Sequence, residues 1–227
     1  MFTLTQIAVR TSPEELPQWV PATWEDYLAC CEQAERDRPE HFRIFFNQGY
    51  LFVDMGWEGI DHARFRELLT MIITVWFSVR SSAIAFDCLG GAILEKPEQR
   101  AAAPDQVLYI SSGSPRREIG ESRRINLRRW RVPDLVCEVG DTTLATDLDE
   151  KKQIYAGLEV PEYWVIDVEG ARVLAFRLQA DGRYQQCEVS TALEGLPLSL
   201  VQQTIGRLTG ESNGTAALWF SQQIAQR

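Results

Sequence analysis

Histidine is nearly absent from this chain: His41 and His62 are the only two among 227 residues. The five cysteines, Cys30, Cys31, Cys88, Cys137 and Cys187, include no C-x-x-C pair, and the adjacent Cys30 and Cys31 on a helix are poorly placed to grip one ion together. A zinc site of the Cys/His kind is therefore disfavoured. The odd thiol count reads instead as small, semi-buried cysteines in a reducing compartment. Long apolar runs are missing too. The longest, Leu68 to Phe77, is broken by Thr70 and Thr74 and falls far short of a membrane span. Met1 to Arg10 lacks a basic segment followed by an apolar one, so no signal peptide is expected and the cytoplasm is the expected location. There is no Gly-rich phosphate loop, internal repeat, low-complexity tract or linker.

What is present is ordinary globular material, 45% hydrophobic and 24% charged. The length suits one sizeable core, and we expect a single domain over residues 1–227 with its core at about 60–168. The net charge of -9 argues against a surface that coats nucleic acid, because phosphate binding rests on Lys and Arg. One stretch runs the other way. Arg116, Arg117, Arg123, Arg124, Arg128, Arg129 and Arg131 crowd together. Within it Arg123, Arg124, Arg128 and Arg129 are candidates for a phosphate-facing edge. Equally, the segment reads as a solvated loop whose arginines pair with Glu118 and Glu121.

Thr23 caps a helix that opens Trp-Glu-Asp-Tyr-Leu, with Asp26 in the first turn, and Pro39 stops it. Phe42 to Val53 reads as a hairpin about Asn47-Gln48-Gly49. Asp61 to Val79 is the strongest helix, with Phe65, Leu68, Leu69, Ile72, Val75 and Trp76 at three- and four-residue spacing. Strands are expected at Ile84–Leu94, Gln106–Ile110 and Asp134–Val139, a helix at Asp149–Leu158 and a strand at Tyr163–Val168. A hairpin about Asp181-Gly182 and a final helix over Gly214–Ala225 follow. The middle thus runs helix, strand, strand, strand, helix, strand. That order implies an α/β (α+β) fold around a central mixed sheet, with an extra amino-terminal helix and hairpin.

Two strands open on Pro-Asp: Pro104-Asp105 and Pro133-Asp134. Each proline sits where it removes no ladder hydrogen bond. Alternation along the second strand places Asp134, Val136 and Glu138 on one face. A buried Glu138 carboxylate needs compensation. A divalent cation with oxygen ligands would supply it, as would an arginine or the next helix. On that helix Asp147, Lys151 and Tyr155 share a face at four-residue spacing. Lys151 could lie beside a scissile phosphate and orient or help deprotonate a water, or simply pair with Asp147 at the surface.

Together, Pro133-Asp-Leu-Val-Cys-Glu-Val, Asp141-Thr-Thr-Leu-Ala-x-Asp147, Lys151-x-x-x-Tyr155 and Val160-Pro-Glu-Tyr-Trp-Val-Ile-Asp167 resemble the Uma-two family, endonucleases of the PD-(D/E)xK, restriction-endonuclease-like superfamily. Thr23-Trp-Glu-Asp-Tyr-Leu, His62 and Pro104-Asp105-Gln-Val-Leu-Tyr-Ile match that family's landmarks, and the likeness spans roughly residues 20 to 205. It implies a restriction-endonuclease-like core of order α-β-β-β-α-β. It also implies Asp105 and Glu138 as ligands of Mg2+ or Mn2+. The superfamily's strand lysine, two positions after the glutamate, is replaced here by Gly140, and the family pattern hands its role to Lys151. Asp134 and Tyr155 become supporting residues. Glu67, from the first core helix, is a candidate to complete the site, and His62 either takes part or bonds a nearby loop. Glu159 stands where the family often has Gly, in the turn after the helix.

The expected function is a Mg2+-dependent endonuclease acting on DNA, with homodimerisation suited to cutting both strands. The alternative from another class is an inactive nuclease-fold protein that binds DNA or a protein partner, favoured by the acidic charge and by Gly140. A hydrolase of a small phosphorylated molecule is a third.

Overall fold

The structure is a computed structural model that describes residues 19–37, 42–55, 59–80, 84–141 and 143–226. Along the chain it runs β1 (Val20–Pro21), α1 (Trp24–Asp37), β2 (Phe42–Asn47), β3 (Tyr50–Met55), α2 (Ile60–Arg80) and β4 (Phe86–Gly90). There follow β5 (Leu94–Lys96), β6 (Arg100–Ala102), β7 (Gln106–Ile110), β8 (Ile125–Asn126), β9 (Leu135–Gly140), α3 (Leu144–Leu148) and α4 (Glu150–Gly157). The chain ends with β10 (Glu162–Asp167), β11 (Arg172–Leu178), β12 (Tyr184–Gln186), α5 (Leu198–Gly206), a short 3-10 turn and α6 (Asn213–Ala225).

These elements gather into two compact units. One comprises Met1–Trp57, Ile93–Ala103 and Arg117–Trp130; the other comprises Glu58–Ala92, Pro104–Arg116 and Arg131–Arg227. The chain passes between them repeatedly, which is why no single linker shows in the sequence.

In the first unit α1 packs on a six-stranded sheet of order β1-β3-β2-β6-β5-β8. Its core joins Tyr27, Cys30, Cys31, Ala34, Ile44, Phe46, Leu51 and Ala101. The α1 cap is reciprocal: Asp26 N–H donates to Thr23 Oγ1, and Thr23 N–H donates to Asp26 Oδ2. The β2–β3 hairpin turns as expected through Gln48 and Gly49, at φ 46 and 90.

The second unit has a sheet of order β12-β11-β10-β9-β7-β4. β4, β7 and β9 are antiparallel neighbours, while β9 and β10 run parallel. A parallel pair needs a crossover, and α3 with α4 provides it. The expected order of helix, three strands, helix and strand is α2, β4, β7, β9, α3–α4 and β10. Helices α2, α5 and α6 cover one face in a core that includes Leu68, Ile72, Trp76, Leu135, Cys137, Val139, Trp164, Ile166, Val201 and Phe220.

Two segments differ from expectation. The single strand expected over Ile84–Leu94 is two strands in two sheets, β4 and β5, parted where Gly91 takes φ +66. The Leu196-Pro-Leu-Ser-Leu run alternates like a strand, yet Leu198–Gly206 is a helix. It buries Leu198, Leu200, Val201, Thr204 and Ile205, and a helix puts these residues against the core. Among the described residues, no helix is long and apolar enough to cross a membrane.

Candidate active site

The second unit carries a buried polar cluster on the sheet face away from its main core. β7 and β9 pair as Gln106↔Cys137, Val107↔Val136 and Leu108↔Leu135. One further step of that register sets Asp105 opposite Glu138. Because Cys137 and Val139 face the α2 side, alternation turns Glu138 to the other face, where α4 lies. Asp105 Oδ2 accepts the Val139 N–H at 2.7 Å, continuing the ladder with a side chain in place of a carbonyl. Its other oxygen, Oδ1, lies 3.2 Å from His62 Nε2 at the start of α2.

Glu138 is gripped from α4. Its Oε1 accepts the Tyr155 hydroxyl, and its Oε2 accepts Lys151 Nζ at 3.4 Å. The lysine lies closer to a second carboxylate, with Nζ 2.7 Å from Asp147 Oδ1. Asp147 is itself anchored. Its Oδ2 accepts the Thr143 hydroxyl at 2.8 Å, and its backbone carbonyl accepts the Tyr163 hydroxyl at 2.9 Å.

Gly140 explains where the lysine must come from. A Cβ there would stand 2.9 Å from Asp147 Oδ2 and 3.2 Å from Leu144 Cα. The start of α3 packs so closely on the strand that no side chain fits at the position of the superfamily's usual lysine. Lys151 reaches Glu138 from the helix instead.

Among the described residues the cluster sets three buried carboxylates, Asp105, Glu138 and Asp147, against Lys151 and His62. Negative charge is in surplus, and the titrating groups respond accordingly. Burial would lower the Lys151 ammonium, but Glu138 and Asp147 outweigh it and hold it above the ordinary lysine value. Burial raises the Asp147 carboxyl despite its lysine, with Asp105 adding to the rise. Tyr155 and Tyr163 are pushed well up by burial and then by Glu138. Each shift favours the protonated form, as an uncompensated anionic pocket requires.

The donor chemistry fits the divalent ion expected from the sequence. Two oxygen donors from adjacent strands suit a hard cation that completes its shell from water and phosphate, and such an ion would offset the surplus charge. Among the described residues, no three His, Cys, Asp or Glu side chains form a ready-made cage. The fit therefore rests on the Asp105–Glu138 pair.

The remaining sequence candidates separate. Asp134 lies at the other end of β9, accepting the Ile110 N–H at 2.7 Å and Arg131 Nη1 at 2.9 Å. It ties β7 to β9 away from the cluster. Glu67 is not brought in: it is exposed on α2, beside Arg66 at 3.1 Å. The Asp147–Lys151 pair exists but is buried rather than superficial, at 0% and 1% exposure of the side chains. Asp147 is the member that sequence reasoning undervalued. Its signal was the four-residue spacing to Lys151, and only burial gave that spacing weight.

The arginines lie in the first unit. Arg124 sits 2.6 Å from Glu95 and 3.1 Å from Glu35. Arg128 donates to the Pro97 carbonyl at 2.9 Å and lies 3.9 Å from Glu98. Arg129 pairs with Glu121 and lies 3.7 Å from Glu118. Arg123 is exposed. The pairing of this loop with its own acids is thus realised, though exposed pairs of this kind are weak enough to exchange for a phosphate.

A mixed sheet with carboxylates on facing strands and a crossover helix bearing the lysine marks a nuclease-like α+β protein. The model of the Uma2 family, described as "Putative restriction endonuclease", matches residues 24–209, and the chain belongs to that family. A crystal structure described as a "putative nuclease belonging to DUF820", from Anabaena variabilis, shares the fold. Its TM-score is 0.54 at 17% identity, over 88% of this chain and 99% of that one. No curated protein matches the chain.

Proposed function

We propose that the chain is a metal-dependent endonuclease that hydrolyses DNA phosphodiester bonds at the Asp105–Glu138–Lys151 cluster. One observation carries the reading: a buried surplus of carboxylates, two of them opposite each other on adjacent strands, with a single lysine among them. Asp105 and Glu138 would hold Mg2+ or Mn2+, which when bound supplies Lewis acidity and an activated water. His62 and the Val139 N–H fix the two oxygens of Asp105. Tyr155 fixes Glu138. Lys151, kept charged by its carboxylates, serves as a proton donor to a phosphoryl oxygen and a counter to developing negative charge. That raised ammonium makes it unsuited to be the base. Arg123, Arg128 and Arg129 are offered as phosphate contacts, and a two-fold dimer would suit cleavage of both strands.

The test is nicking of supercoiled plasmid by the purified chain. Cleavage should require Mg2+ or Mn2+ and disappear in Glu138→Ala and Lys151→Ala. Protein that stays folded yet neither binds a divalent ion nor cuts nucleic acid would sink the proposal.

A second reading, a nuclease-fold protein that binds DNA or a protein without cutting, is favoured by one feature. Asp105, Glu138, Asp147 and Lys151 are each 2% exposed or less, so the cluster is closed to substrate as it stands. Equal DNA binding with and without metal, unchanged by Glu138→Ala, would select it.

A further inference from the structure

We infer that Asp147 is a positioning residue that holds the Lys151 amine off Glu138, keeping that carboxylate available to a metal ion. This rests on the nuclease reading above only for its consequence in cleavage; the geometry stands apart from it.

A lysine beside a metal-binding carboxylate raises a problem. Left alone in a buried pocket, an ammonium and a carboxylate close to contact distance, since their attraction is strong where water is excluded. Such a closed pair would occupy the lone pairs that a cation needs. In this cluster the amine is 2.7 Å from Asp147 Oδ1 and 3.4 Å from Glu138 Oε2, so it leans toward Asp147.

Asp147 is built to win that contest. It does not rely on its own rotamer alone, because Thr143 holds Oδ2 at 2.8 Å and Tyr163 holds its carbonyl at 2.9 Å. The bare Gly140 makes the space that Oδ2 occupies, and any side chain there would press on it at 2.9 Å. The chain also breaks its helix between Asp147 and Lys151, at Asp149 with φ -118 and ψ -85, yet the two side chains still meet. Four separate features of the sequence, Thr143, Tyr163, Gly140 and the break at Asp149, thus converge on one carboxylate whose other oxygen meets the lysine.

A crystal structure of Asp147→Asn, together with a double-mutant cycle on Mn2+ affinity, tests the assignment. Asparagine keeps the shape and can still accept from Thr143, but it no longer attracts the amine. Lys151 Nζ should then move onto Glu138. Mn2+ affinity, measured by calorimetry without DNA, should fall about tenfold, the size of effect expected when a group supporting a metal ligand is lost. In a Lys151→Met background the same Asp147→Asn change should have much less effect, because no amine remains to misplace.

A purely structural role would cost the same affinity in both backgrounds, and that result overturns the proposal. So does an Asp147→Asn structure with the amine unmoved. If no variant nor the wild type binds Mn2+ or cuts DNA, the nuclease reading fails, while the position of the amine still decides the role of Asp147.

Discussion

Each unit buries a glutamate in a strand, and the two are treated differently. Glu95, on β5 of the first unit, accepts the Tyr27 hydroxyl at 2.8 Å and lies 2.6 Å from Arg124. One carboxylate meets one guanidinium and one hydroxyl, and the charges cancel. Glu138, on β9 of the second unit, also accepts a tyrosine and a lysine, but the lysine is shared with Asp147, and Asp105 lies opposite on the neighbouring strand. Balanced burial is what a fold needs in order to stand. Unbalanced burial disfavours the fold by itself and makes sense where a cation is to be bound, so the contrast separates a strut from a site.

The widest gap between the two should appear in catalysis. Glu138→Ala and Lys151→Ala are expected to lower plasmid nicking by about 10²–10³-fold or more. Glu95→Gln, assayed at a temperature where it remains folded, should leave the nicking rate near that of the wild type. Equal losses in both would erase the distinction.

Stability should run in the opposite direction. Glu95→Ala leaves Arg124 and Tyr27 without their buried acceptor, and is expected to cost about 3 kcal/mol in urea denaturation. Glu138→Gln relieves surplus charge and should instead raise stability by about 1 kcal/mol without metal. A loss there as large as that of Glu95→Ala would mean that the second cluster is a strut as well.

A comparable gain is expected at the end of α4. Glu159 follows the helix at φ +65, with its N–H bonded to the Ala156 carbonyl at 3.0 Å. A side chain in that left-handed conformation costs about 1 kcal/mol relative to glycine. Glu159→Gly should raise the melting temperature with Mn2+ affinity unchanged, which a thermal scan and a titration can check.

The smallest effect is on pH dependence. Lys151 is raised in the folded protein, so the folded state keeps its proton longer than the unfolded chain does. Its contribution is complete below the ordinary lysine value of 10.5 and shrinks as pH rises beyond it. The stability difference between wild type and Lys151→Met should therefore be flat through neutral pH and begin to narrow only above that value. Narrowing near neutrality would show the amine to be less tightly held by its carboxylates.

Much of this was legible before any coordinates. Periodicity located α2, Gly49 marked the first hairpin, and Thr23 with Asp26 marked the first helix cap, because these are local effects of backbone and neighbouring side chains. The motif segment from Pro133 to Asp167 pointed to Asp105, Glu138 and Lys151 by resemblance, and the tertiary structure brings all three into one cluster. Glu67 shows the limit. Its place on the right helix was readable, but the direction in which it points depends on what α2 packs against.

Sequence alone therefore determined the order of the central elements, the placing of carboxylates at strand starts and the absence of a strand lysine. Tertiary structure decided the split of Ile84–Leu94 into two sheets, the burial of the Asp147–Lys151 pair and the closeness of α3 to Gly140. The reason is physical. Propensity and spacing act within a few residues, whereas burial and charge surplus are properties of what distant segments exclude from water together.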